Sequence, residues 1–151
     1  MDVSSAAIER LNGIAGGYRH CSGDEHYLAE VQAGFGKIRL FDMTSPRNLK
    51  LLTQYHDSGA IIAAAAINDD GSLLAAVLTR PIRAGNDRRS DDVVVFDRDL
   101  KIVAKAARSL QSTYGITLVK NTLLVGFQLG GLPKMPVPSQ QVDLYDLRPL
   151  R

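Results

Sequence analysis

At 151 residues and 45% hydrophobic content, the chain is one domain's worth of sequence with enough apolar side chain to bury a core, which excludes collagen-like and disordered classes. Lys and Arg number 18 against 16 Asp and Glu, and a net charge of +2 is too weak a bias to argue for nucleic acid, so any basic signal has to be local. No apolar run approaches the roughly 20 residues that cross a bilayer, since IIAAAAI (61–67) ends at Asn68, Asp69 and Asp70.

The chain starts with MDVSSAAIER, which carries an acid and a base where a secretory signal needs a basic start and an apolar middle. With one cysteine, Cys21, no intrachain disulfide can form, so the expectation is a reducing, cytoplasmic setting. Within residues 1–17, Ile8 and Leu11 stand at helical spacing with Gly13 as a stop. An extended strand that completes a blade is the alternative for this segment.

Residues 18–56 hold YRHC, a polar turn SGDEH, YLAEVQA, then GKIRLFDMTSP and LKLLTQY. Residues 60–109 repeat the order: AIIAAAAI, the turn NDDG, SLLAAVLT, then DVVVFDRD and KIVAKAARS. The Asp-Gly turn between two apolar runs is a strong hairpin signal. Alanine is the best helix former, but eight residues ending at Asp-Asp-Gly would make only two turns, so AIIAAAAI is predicted as a strand. Residues 114–150 hold GITLV, Lys120-Asn121, TLLVGFQL and QVDLYDLRP, without a fourth strand. Each unit therefore has a strand ending in an aromatic and an acid: Phe41-Asp42, Phe96-Asp97 and Tyr145-Asp146. The aromatics stand 55 and 49 residues apart, close to the roughly 40–50 residues of one propeller blade.

The stretch IRLFDMTSPRNLKLLTQYHDSGAIIAAAAINDDGSLLAAV resembles a β-propeller repeat of the LVIVD type, in which a hydrophobic-Asp strand end leads through a Ser-Pro corner to a further strand and then the inner strand. WD-type propellers share the terminal aromatic-Asp pair and are the second choice, without a Trp-Asp or Gly-His pair here. The resemblance implies an all-β fold of antiparallel four-stranded blades, a partial propeller of about three. Small residues in AIIAAAAI suit inner strands that converge on an axis. Three blades are fewer than the four to eight that usually close a ring, and an open stack exposes strand edges. The expectation is an oligomer or complex subunit: two copies forming a six-bladed ring, or a half completed by other polypeptides.

For chemistry, the densest cluster is His20, Cys21, Asp24, Glu25 and His26. These are metal-ligand types, but the spacing fits no standard signature and the stretch aligns with the turn NDDG, so a polar turn is expected. Asp42, Asp97 and Asp146 recur once per unit, which argues for a repeated structural role, accepting hydrogen bonds from turn backbone. His56-Asp57-Ser58 holds the letters of a triad, but adjacent residues do not converge as a triad does. Asp87, Asp91 and Asp92 are too loosely spaced for a calcium loop, and Gly16-Gly17 and Gly130-Gly131 form no phosphate loop. No catalytic residue, metal or cofactor is assigned.

The binding expectation falls on two long connections. TRPIRAGNDRRSD (79–91) carries Arg80, Arg83, Arg88 and Arg89, and LGGLPKMPVPSQ (129–140) carries Lys134 and Met135 in a Pro-restrained apolar segment. Together they suit an acidic peptide or protein. The lack of aromatic stacking surfaces argues against single-stranded RNA. The reading is a non-catalytic interaction scaffold, with an enzyme whose site forms only in a completed ring as the rival.

Overall fold

Alternating apolar residues separated by tight polar turns can bury themselves only as stacked antiparallel sheets, and the computed structural model shows three of them. It describes residues 17–45, 47–81, 89–109, 112–129 and 139–150. The first sheet has strands β1 (Gly17–Cys21), β2 (Tyr27–Gln32), β3 (Lys37–Asp42) and β4 (Lys50–His56), hydrogen-bonded in chain order. The second has β5 (Ile61–Ile67), β6 (Leu73–Pro81), β7 (Arg89–Asp97) and β8 (Ile102–Ser109), again in order. The third has β9 (Ser112–Val119), β10 (Thr122–Leu129) and β11 (Ser139–Asp146). These are blades of a partial β-propeller. The alanine-rich run is strand β5, because its residues pair along β6 rather than closing helical turns. Residues 5–12 lie outside the described residues.

Register makes the three sheets directly comparable. Phe41 stands opposite Leu28, Phe96 opposite Leu74, and Tyr145 opposite Leu123. One residue earlier, Leu40 faces Ala29, Val95 faces Ala75, and Leu144 faces Leu124. Side chains alternate between the two faces of a strand, so each sheet has a rear face carrying the aromatic and a forward face carrying the residue before it.

The core follows this alternation. Ala29, Val31, Ile38 and Leu40 on the forward face of the first sheet pack against Leu74, Ala76, Leu78, Val94 and Phe96 on the rear face of the second. Leu73, Ala75, Val77, Val93 and Val95, on the forward face of the second sheet, pack against Leu118, Leu123, Val125 and Tyr145 of the third. The middle sheet is covered on both sides, which is why β6 and β7 read as near-continuous apolar runs. Phe96 is fully buried and meets the Tyr55 ring edge-on at 4.8 Å.

Two glycines are required by geometry. Gly36, with φ +59°, closes the β2–β3 connection where a Cβ would run into the carbonyl oxygens of Asp57 and Ala60. Gly71, with φ +66°, ends the β5–β6 turn with no room beside the Tyr27 ring. Left-handed backbone and close approach both favour glycine. A bulge precedes the aromatic anchor in each full sheet, at Leu40/Phe41 and Val95/Phe96.

Candidate functional site

The polar groups singled out by sequence fall mainly into turns. Asp42 Oδ1 accepts the Thr44 amide at 2.8 Å and its hydroxyl at 2.7 Å. Asp97 Oδ1 accepts the amides of Asp99 at 3.0 Å and Lys101 at 2.9 Å. Asp146 Oδ1 accepts the Arg148 amide at 3.0 Å, and the Arg148 guanidinium holds both carboxylate oxygens. The Thr44 hydroxyl and amide hold the Asp42 carboxyl below the usual range, and the Arg148 side chain and amide pull Asp146 down to about 2. The same i to i+2 arrangement recurs at Asp24, Asp57 and Asp70, which accept from the amides of His26, Gly59 and Ser72.

His20 and Cys21 lie in β1, while Asp24, Glu25 and His26 form the turn that follows. Asp24 is engaged by the Ser22 hydroxyl at 2.6 Å and by His26 Nδ1 at 3.4 Å. Among the described residues no three His, Cys, Asp or Glu side chains are grouped to hold a metal ion. The turn instead binds its counterpart in the next sheet: the Asp24 amide donates to the Asp69 carbonyl at 2.7 Å. The second sheet reaches back as well, with the Arg98 guanidinium over the Tyr27 ring at 4.7 Å and donating to the Asp70 carbonyl at 3.0 Å. Asn68 Nδ2 continues the chain of contacts to the Lys120 carbonyl of the third sheet at 3.4 Å.

At the other end of the sheets, Arg80 is tied down. Its guanidinium pairs with Asp57, across the junction with the first sheet, and with Asp92 Oδ2 at 2.7 Å. Lys105 Nζ reaches the same Asp92 oxygen at 2.9 Å, and the Thr79 hydroxyl donates to Asp91 at 2.8 Å. Although burial opposes ionisation at Asp57, the Gly59 amide and the Arg80 guanidinium lower its pKa overall. Asp57 therefore belongs to a turn and an ion-pair network while His56 ends β4 opposite Lys37, and the triad letters do not converge. Asp91 and Asp92 likewise stand in β7, where they bond to the Thr79 hydroxyl and the Arg80 guanidinium, and Asp87 lies outside the described residues. Arg83 and Arg88, and Lys134 and Met135, lie outside the described residues, as does the side chain of Arg89.

Sequence reasoning missed the feature made by the inner strands. β1, β5 and β9 come together around an open cleft of about 460 Å³ lined by Arg19, His20, Cys21, Ala65, Ala66, Ile67, Ile116, Thr117 and Leu118. Arg19 Nε and His20 Nε2 are buried there without hydrogen-bond partners, and burial lowers the His20 pKa. The Cys21 thiol is raised by burial and then by the Glu25 carboxylate. Arg19 also stands directly opposite Glu30 in the β1–β2 ladder. Glu30 is fully buried on the rear face of the first sheet, and its Oε1 accepts from Arg39 Nε at 2.9 Å. Only the repeat itself hints at this cleft, by placing small residues in inner strands.

No protein-family model matches the sequence, and no curated protein matches it. Solved structures do. Kuenenia stuttgartiensis hydrazine synthase aligns with a TM-score of 0.60 at 18% identity, over 85% of this chain and 38% of that one. The Myceliophteria thermophila Cps50 (Swd1) β-propeller domain aligns with a TM-score of 0.56 at 13% identity, over 85% of this chain and 39% of that one. Kluyvelomyces marxianus Hsv2 follows at 0.52 and 15%, over 85% and 45%. The likeness shows a propeller fold, and the chain spans less than half the length of each of these structures.

Proposed function

We propose that this chain is a non-catalytic interaction scaffold, a propeller-type subunit that engages a protein partner. The observation that carries the reading is the engagement of its acids: Asp24, Asp42, Asp57, Asp70, Asp97 and Asp146 each accept a turn amide. Acid/base catalysis needs a pair of titratable groups in contrasting environments, whereas each of these carboxylates is taken up by the amide of its own turn. LVIVD-type repeats and a reducing compartment are part of the same reading, the latter because Cys21 is exposed and unpaired.

Two features serve binding. The Arg80, Asp92 and Lys105 network ties β6, β7 and β8 together beside the connection that carries Arg83 and Arg88, Arg89 begins β7, and Lys134 and Met135 belong to the other long connection. In addition, among the described residues β11 is an edge strand, whereas its equivalents β3 and β7 carry β4 and β8. A partner, or a second copy, that continues the stack fits this incomplete third blade.

A fluorescein-labelled oligoglutamate peptide tests the basic connections. Binding measured by anisotropy should weaken as salt rises and be lost in the combined variant Arg83→Glu, Arg88→Glu, Lys134→Glu, with far-UV circular dichroism unchanged. Arg80 is left intact because its reversal would break the sheet junction. Unchanged peptide binding by the variant defeats the proposed surface. The enzyme rival, a completed ring with an axial metal, would instead show stoichiometric calcium or zinc in purified protein.

A further inference from the structure

Val142 and Leu144 occupy positions that are core positions in the other two sheets. The residues equivalent to Leu144 are Leu40, 1% exposed, and Val95, 4% exposed; those equivalent to Val142 are Ile38 and Val93, at 0% and 3%. On the third sheet Leu144 is 69% exposed and Val142 55%. Val119, 50% exposed, and Leu124 extend the patch over the same forward face. The repeat has thus retained at this face the apolar residues that seal each preceding junction, and the face continues the two sheet-to-sheet interfaces already formed within the chain.

From this we infer that a second copy of the chain docks on the forward face of the third sheet, the two faces meeting about a two-fold axis. This rests on the reading above that something in trans covers the end of the stack. A head-to-tail ring of two copies would press the patch against the rear face of the first sheet. There Glu30 and Arg39 stand where the second sheet has Ala76 and Val94, and Leu28 and Glu30 are already 3% and 1% exposed. Setting Val142 and Leu144 against that pair would strip the remaining solvent from the Arg39 guanidinium, 24% exposed, without a new partner. The forward face, by contrast, is self-complementary in chemistry, and a two-fold interface uses one patch twice.

Three strands about 4.8 Å apart and eight residues at about 3.3 Å rise make a face of roughly 400 Å² per copy. The two faces together bury about 800 Å², below the roughly 1,200 Å² of a stable interface, so association should be weak and reversible, with its midpoint well above 1 µM.

Light scattering coupled to size exclusion should show the full chain moving from monomer towards dimer as loading rises from about 1 µM to several hundred. The double variant Val142→Lys, Leu144→Lys should stay monomeric across that range, with unchanged circular dichroism because both side chains are exposed. Val119→Lys alone should weaken dimerisation, and Lys37→Glu, on the rear face of the first sheet, should leave it intact. A wild-type monomer at every loading, or a dimer that survives the double variant or yields to Lys37→Glu, overturns the inference. Oligoglutamate binding by Val142→Ser, Leu144→Ser, which adds no charge, reports separately on the scaffold reading.

Discussion

Truncating equivalent residues in the first and third sheets should give unequal costs. Leu40 and Leu144 hold the same place, one residue before the aromatic anchor and opposite Ala29 and Leu124 respectively. Leu40 is 1% exposed within a core shared with the second sheet, so Leu40→Ala removes the full burial of three carbons and leaves a cavity. Such changes cost about 2–5 kcal/mol. A value of about 3 kcal/mol would lower the midpoint of thermal unfolding by roughly 6–12 °C in a chain of this size. Leu144 is 69% exposed, so its truncation forfeits about a third of a leucine's burial and no enclosed cavity, about 0.5 kcal/mol. The corresponding shift is roughly 1–2 °C. Thermal melts by circular dichroism at about 1 µM, below the expected midpoint of dimerisation, measure both. Equal losses would mean that the third sheet's forward face is sealed within a single chain, contrary to the exposure of Leu144.

Gly71→Ala should destabilise by about 1–3 kcal/mol in urea denaturation, since it combines left-handed backbone with a methyl against the Tyr27 ring; a neutral result would argue against that turn. The depressed Asp57 carboxyl contributes stability that is complete above its unfolded pKa of about 4 and is lost as pH falls through its folded value. Urea midpoints taken between about pH 5 and pH 2 should therefore fall more steeply in the native chain than in Asp57→Asn, and parallel curves would dissociate Asp57 from Arg80. For His20 the folded pKa is lowered by burial, so its neutral form is favoured and stability declines as pH drops through the unfolded value. Its imidazole proton resonances should titrate below the ordinary histidine range, and a midpoint at or above that range would place His20 in a different environment.

Strand order was legible because each hairpin announces itself locally. Asp-Asp-Gly at 69–71 supplies the positive φ that its turn uses, and the repeated aromatic-Asp pairs set the register of β3, β7 and β11. Asp42 and its equivalents were readable as turn acceptors for the same reason, their partners lying two residues away. Arg80 was not readable as a structural residue, because Asp57 is 23 positions distant and Asp92 is 12; only the stacked sheets bring them together. The axial cleft draws on β1, β5 and β9, elements joined by no shared motif. The alternation of QVDLYD looks like that of any half-buried strand, so the exposure of Val142 and Leu144 could not be read from it. Exposure there is set by which faces of the stacked sheets meet, which the alternation of a single strand does not encode.

The chain has no tryptophan, so Leu144→Trp places a single indole on the forward face of the third sheet, and its emission reports whether that face is covered. At about 1 µM the emission should be that of a solvent-exposed indole, shifting to the blue as concentration rises and the second copy covers the face. Emission that is blue at every concentration, or red at every concentration, would contradict an open blade face covered in trans.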